Sequence, residues 1–205
     1  REQPRQERQQ GATVQTTLDA GLQNYAVQRL GEESAAAVVI DVTNGDIMAI
    51  VSNPGFDPNL FVRGISGPDY KALMEHDHRP LADKSVQGVY PPGSTFKMVT
   101  LLAGLESGII NEGTRYYCNG ALDVAGRKFH CWSRGGHGSV SAVESLMKSC
   151  DVYYYELAQR VGIDRIAEMA RKLGIGVEHD LPMSAVATGI APDRAWKKDR
   201  FDKPW

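Results

Sequence analysis

The sequence predicts an α+β fold, and three observations carry that expectation. Two apolar runs, Ala35 to Val42 and Asp46 to Ser52, flank Thr43-Asn44-Gly45, and Asn-Gly between such runs is a hairpin signal. Apolar residues at helical spacing precede the pair. Further helical patterns follow it as a group and do not alternate with strands.

In chain order, Thr17 to Leu30 reads as a helix. Leu18, Leu22, Tyr25, Ala26 and Leu30 fall on one face, Thr17 is the expected N-cap and Gly31 the stop. Ala35 to Val42 reads as a buried strand and Asp46 to Ser52 as its partner. Asn53-Pro54-Gly55-Phe56-Asp57-Pro58-Asn59 breaks the pattern and reads as loop. Residues 60–93 are mixed, ending in the hard stop Pro91-Pro92-Gly93. Ser94 to Leu105 reads as an amphipathic helix that ends near Ser107-Gly108. Residues 111–140 are Gly-rich. A long helical zone runs from Val143 to Val161, closed by Gly162, and another from Ile163 to Leu173, closed by Gly174.

The chain has 205 residues, a length for one generous domain or two small ones. With 23 Lys and Arg against 25 Asp and Glu, the net charge is −2, which lacks the basic footprint of a nucleic-acid binder. The longest wholly apolar run, Ala35 to Ile40, is far short of the roughly 20 residues of a membrane helix. Three cysteines are too few for a disulfide scaffold. Residues 1–10 are polar and read as a solvated lead-in. That opening and the closing Pro204-Trp205 are read as the ends of a piece of something longer; a mature chain with polar tails is the alternative.

Ser94-Thr95-Phe96-Lys97 follows Pro-Pro-Gly where loop becomes helix. On a helix, residues i and i+3 share a face, so the Lys97 amine is expected to reach the Ser94 hydroxyl. A serine hydroxyl is a poor nucleophile until a base takes its proton, and a lysine can be that base only in its neutral form. The alternative for Ser94 is an ordinary helix cap. A second Ser-x-x-Lys, Ser145-Leu146-Met147-Lys148, lies inside a helical pattern, where a structural role is expected.

Ser149-Cys150-Asp151 comes 55 residues after Ser94. Pro91-Pro92-Gly93-Ser94-Thr95-Phe96-Lys97 resembles the first active-site motif of class B penicillin-binding proteins, and Ser149-Cys150-Asp151 resembles their second, in the Ser-x-Asp form of the elongation-type branch. The likeness extends to Thr16-Thr17-Leu18-Asp19, the 37–52 hairpin, Arg79-Pro80-Leu81, Cys131-Trp132, Gly136-His137-Gly138 and Pro192 to Lys197. The resemblance implies a transpeptidase domain of the penicillin-binding-protein and serine β-lactamase kind, an antiparallel sheet with packed helices. Its first part would span residues 16–205, after a lead-in over 1–15 from a preceding non-catalytic domain. It implies that Ser94 is acylated by a peptidoglycan stem peptide or by a β-lactam, that Lys97 is the base, that Ser149 relays protons and that Asp151 holds the network. It also implies a bacterial parent anchored in the inner membrane with this domain in the periplasm, working in cell elongation beside a membrane glycan polymerase. The family's third motif, Lys-Thr-Gly, is absent from these residues. It is expected downstream of Trp205, so the piece alone is expected to be inactive.

Cys118, Cys131, His137 and Cys150 form a further pattern, with 12, 5 and 12 residues between successive members. Three thiolates and an imidazole make a closed tetrahedral structural zinc site. A disulfide plus one free cysteine is the alternative in an oxidising compartment. Elongation-type relatives carry zinc in this insert, around residues 111–150, so the resemblance favours one structural zinc per chain. His76, His78, His130 and His179 read as surface or loop residues, with His130 a spare ligand; Tyr153, Tyr154 and Tyr155 read as core. Two other functions compete with the transpeptidase: a β-lactam-sensing or β-lactam-hydrolysing relative, and a non-catalytic zinc-stabilised docking module.

Overall fold

The computed structural model describes residues 10–205; the part of the expected lead-in over residues 1–9 lies outside the described residues. Residues 10–15 carry no regular structure and are exposed. The chain is α+β, as expected, and divides into two compact units, one up to Gly88 and one from Val89 to Trp205.

In the first unit, helix α1 (Ala20–Leu30) precedes the hairpin of β1 (Ala35–Ile40) and β2 (Ile47–Asn53). The strands pair antiparallel, from Ala35 opposite Asn53 to Ile40 opposite Ile47. The turn forms where Asn44-Gly45 predicted it. Gly45 has φ 84°, and the Asp41 carboxylate accepts hydrogen bonds from the Thr43 N–H and hydroxyl. Short helices α2 (Asn59–Val62), α3 (Gly67–Glu75) and α4 (Lys84–Gln87) occupy the mixed stretch.

Three expectations are corrected here. Thr17 does not cap α1. Asp19 does, accepting from Leu22 N, while the Thr17 hydroxyl donates to Ile47 O at 2.7 Å. On α1, Leu22, Ala26 and Leu30 are half-buried, but Tyr25 is exposed, as is Leu18, which lies ahead of the helix. β1 stops at Ile40, and Val38, Val39 and Ile40 are exposed, because among the described residues only β2 pairs with it. The edge of β2, by contrast, is closed from within the unit. The Asp19 N–H donates to Met48 O, and the Gln23 side-chain amide imitates a neighbouring strand. Its Nε2 donates to Ile50 O at 2.6 Å and its Oε1 accepts from Ile50 N at 2.9 Å.

In the second unit, a 3₁₀ turn (Gly93–Phe96) leads into α5 (Lys97–Glu106), which packs against α7 (Asp151–Val161) and α8 (Ile163–Lys172). Val99, Ala103, Leu157, Val161, Ile166 and Ala170 form the core between them. Gly104 permits the close approach of α5 and α7, since a Cβ there would lie 3.0 Å from Leu157 Cδ1. Helix α9 (Arg194–Phe201) is capped by Asp193.

The Gly-rich stretch holds four short strands that the sequence did not reveal: β3 (Arg115–Cys118), β4 (Ala121–Val124), β5 (Arg127–His130) and β6 (Gly138–Ser141). β3 pairs with β6 and β4 with β5, both antiparallel. The β4–β5 turn is Ala125-Gly126, both at positive φ; alanine in place of the usual Asn or Asp hides the signal. The expected single helix over 143–161 is two: α6 (Ala142–Met147), opened by a Ser141–Glu144 capping box, and α7. They break at Ser149, whose φ of 48° no helix tolerates.

Replacing Gln23 by Ala should destabilise the first unit by about 1–2 kcal/mol, the effect of leaving the Ile50 amide and carbonyl without partners. Urea denaturation measures the loss, and faster hydrogen exchange at the Ile50 amide locates it.

Candidate active site and metal centre

Ser94 lies on the 3₁₀ turn ahead of α5 and is exposed; the α-helix proper begins at Lys97. Lys97 starts α5 with its side chain 12% exposed. Its amine donates to Ser149 Oγ at 2.9 Å, Ser149 O at 2.9 Å and Asp151 Oδ1 at 2.6 Å. An ammonium has three N–H donors, and all three are used. The direct Lys97–Ser94 contact expected from i, i+3 spacing is replaced by an indirect one. The Asp151 carboxylate and Ser149 draw the amine away, and Ser149 Oγ reaches Ser94 Oγ at 3.1 Å. The four residues expected to share a site therefore do so, in the order Ser94, Ser149, Lys97, Asp151.

Ser149 serves this line from the break between α6 and α7, not from a helix. Left-handed backbone in a residue with a Cβ costs roughly 1–3 kcal/mol and persists where the surroundings impose it. Asp151 opens α7, where a negative charge suits the helix dipole. Burial acts to raise its pKa, but the Lys97 hydrogen bond, the Trp132 N–H and the Lys97 charge outweigh it and hold the carboxyl below its ordinary value. The ring of Tyr154 lies under the Lys97 amine, 5.7 Å from nitrogen to centroid. The tyrosines are core residues as read, with Tyr153 and Tyr154 buried, and Tyr154 also forms a wall of the site. The other Ser-x-x-Lys is structural: Ser145 is fully buried, hydrogen-bonded to Ala142 O and the Tyr154 hydroxyl.

The structure brings Cys118, Cys131, His137 and Cys150 together, with ligand atoms all within 4.8 Å of one another. The three cysteines are buried and unbridged. His137 Nδ1 lies 3.5 Å from Cys131 Sγ and 3.8 Å from Cys118 Sγ. Zinc bonds of about 2.0–2.3 Å in a tetrahedron place ligand atoms roughly 3.5–3.8 Å apart, so the donor set fits. The ring faces the sulfurs at the expense of its other end: His137 Nε2 is buried with no hydrogen-bond partner among the described residues. Burial, with the neighbouring thiols, pushes Cys150 up to about 12. Burial would raise Cys118 too, but hydrogen bonds from the Gly120 and His137 amides and the other two thiols bring it below its ordinary value. His130 is exposed and stands outside the cluster. His179 Nε2 lies 2.8 Å from Gly174 O, and His76 Nδ1 accepts from His78 N.

Two glycines make the cluster possible. Gly120 (φ 99°) and Gly136 (φ 79°) let the 118–120 and 134–136 segments touch; a Cβ on Gly120 would sit 2.2 Å from Arg134 O, and one on Gly136 2.2 Å from Cys118 O. Sequence reasoning missed Trp132 as part of the site. Its backbone N–H donates to Asp151 Oδ2 at 2.9 Å and its indole N–H to Lys148 O at 3.0 Å. A main-chain donor leaves no trace in residue identity; only its place after Cys131 pointed to it.

The profile of the penicillin binding protein transpeptidase domain matches residues 35–203. The chain belongs to the penicillin-binding protein transpeptidase family. Its relatives in that family include several of the PBP2 kind. It is 39% identical over 199 residues to the Escherichia coli peptidoglycan D,D-transpeptidase MrdA, covering 96% of this chain and 31% of that protein. The Pseudomonas aeruginosa PBP2 in complex with WCK 5153 superposes with a TM-score of 0.88 at 37% identity, over 92% of this chain and 43% of the other. The Helicobacter pylori PBP2 in its complex with MreC gives a TM-score of 0.87 at 31% identity, over 92% and 36%. The chain thus spans about a third of the length of the curated relatives it matches. The family and fold expected from the two serine motifs are borne out.

Ser149→Gly should be more stable than Ser149→Ala by about 1 kcal/mol, since glycine adopts positive φ without strain. Denaturation of the pair measures it, and equal stabilities would contradict the backbone strain assigned to Ser149.

Proposed function

We propose that this chain is the nucleophile-bearing part of a PBP2-type peptidoglycan D,D-transpeptidase that works through a serine acyl-enzyme. The observation that carries the reading is the continuous line Ser94–Ser149–Lys97–Asp151, with links of 3.1, 2.9 and 2.6 Å. Ser94 Oγ attacks the carbonyl of the penultimate D-Ala of a stem peptide, and its proton passes through Ser149 to Lys97, which first gives up one ammonium proton to act as the base. The C–N bond breaks, the same line returns a proton to the leaving D-Ala amine, and an ester on Ser94 is left. The amine of an acceptor stem then attacks that ester, forms the crosslink and frees Ser94. A β-lactam presents the same carbonyl and is taken up in the same way. Asp151 keeps the Lys97 amine against Ser149 throughout. The strand with the Lys-Thr-Gly motif belongs to the remainder of such a domain, and these 205 residues alone do not turn over substrate.

Cys118, Cys131, His137 and Cys150 would hold one structural zinc. The supporting features are the mutual approach of the ligand atoms and the ring position of His137. Four protein ligands leave no open coordination position, so the metal would supply a cross-link and no chemistry. We place the parent protein at the bacterial inner membrane with this domain in the periplasm, acting with a glycan polymerase and elongation-complex proteins; the Helicobacter pylori complex with MreC supports the last. Among the described residues no helix is long and apolar enough to cross a membrane.

In a complete transpeptidase domain built around this chain, a fluorescent penicillin should label Ser94 and stay attached. Ser94→Ala should abolish labelling, and Lys97→Ala should slow it by roughly 10²–10⁴-fold, the contribution of a general base. Fast release of hydrolysed drug would point instead to a β-lactamase, and no labelling to a docking module. The chain alone should not label stably. Elemental analysis of the purified chain should find about one zinc per chain, and its absence after purification without chelator would remove the metal assignment.

A further inference from the structure

We infer that Trp132 is a positioning residue, and that its backbone amide is the link through which the cysteine cluster sets the geometry of Asp151 and Lys97. This rests on the reading of Asp151 as part of the reacting line and of the cluster as a zinc site. The two oxygens of Asp151 have different partners. Oδ1 takes the Lys97 amine at 2.6 Å, and Oδ2 takes the Trp132 N–H at 2.9 Å. The residues on either side of that second hydrogen bond are built alike: Cys131 immediately precedes Trp132, and Cys150 immediately precedes Asp151. Both cysteines are buried and both belong to the cluster. A metal held by both would tie together the two backbone positions that the hydrogen bond spans. The donor would then stand at a fixed place before Asp151 arrives, with no side-chain freedom to lose.

The rest of the loop is constrained to the same end. Cys131 N donates to Gly120 O at 2.9 Å, at the start of β4. The 134–136 segment presses on 118–120 with no room for a Cβ on either glycine. The Trp132 indole N–H donates to Lys148 O, the carbonyl next to the strained Ser149, and the indole lies edge-on to the His137 ring at 5.1 Å. Trp132 is nonetheless 66% exposed, so burial does not hold it in place; its anchors are these polar contacts and the cluster behind it. Trp132 thus reaches both sides of Ser149, through Lys148 and through Asp151.

The test follows hydrogen exchange at the Trp132 amide and the NMR signal of the Lys97 side-chain amine in the zinc-loaded chain. Asp151→Ala should speed exchange at Trp132 by about tenfold or more, the expectation for a lost hydrogen bond to a charged acceptor, with zinc still at one per chain. Asp151→Asn keeps an acceptor oxygen and should restore most of the protection, whereas Asp151→Leu, which fills comparable space with no acceptor, should not, a contrast that a merely space-filling role would not give. Removing zinc from the wild type with EDTA should speed the same amide and shift the Lys97 signal, while Ile166 and Ala170 in α8 stay protected. If the chain unfolds without metal, the Asp151 variants decide the matter, since they retain it. Unchanged exchange in Asp151→Ala, or an unmoved Lys97 signal after zinc removal, overturns the link and leaves the metal assignment standing. A chain that binds no zinc overturns both, and its metal content identifies that case.

Discussion

The ion pair between Lys97 and Asp151 is the contact on which the site depends. It joins the start of α5 to the start of α7, with side chains only 12% and 21% exposed. A pair so far from water need not add net stability, because removing two charges from solvent offsets much of their attraction. Its effect is on geometry. With one carboxylate oxygen on the amine and the other on the Trp132 amide, the lysine has one direction left, toward Ser149. Losing either partner would strand the other charge, which costs on the order of a few kcal/mol in a partly buried site.

That arrangement needs backbone conformations that ordinary helices and strands do not supply. Ser149 takes a left-handed φ so that one residue can offer both its carbonyl and its hydroxyl to Lys97 and still reach Ser94. Gly120 and Gly136 let two chain segments meet at a spacing no side chain would allow. Both devices sit beside the cysteine cluster, and one segment, 149–151, carries the serine that joins Lys97 to Ser94, a cluster cysteine and the charged partner in succession. The line of polar contacts and the cysteine cluster are thus interleaved residue by residue along the chain.

Much of this was legible in the residues. The Asn44-Gly45 turn declared the hairpin, and Gly31, Gly162 and Gly174 marked helix ends that the structure respects. The two serine motifs and the cysteine–histidine spacing named the Ser94, Lys97, Ser149 and Asp151 line and the four cluster residues, but neither Trp132 nor the Tyr154 wall. What the pattern misread has a common cause. Val38, Val39 and Ile40 read as buried because they are apolar, but burial depends on what packs against a strand. Thr17 reads as a cap because threonine often is one, but its hydroxyl found the free edge of β2. The strands of the 115–141 region are four residues long, too short for periodicity to speak, and Ala125 stands where an Asn would have announced the turn.

The sequence by itself determined the fold class and the candidate serine with its candidate partners, because these follow from residue type and spacing along one chain. It also named the donor set of the cluster. Only the tertiary structure decided how those residues are wired. Lys97 contacts Ser149 and not Ser94, because a carboxylate 54 positions away pulls its amine aside. The break at Ser149 and the Trp132 amide on Asp151 are likewise products of packing between distant segments. Backbone groups carry both, and every residue type has the same backbone, so composition cannot reveal them.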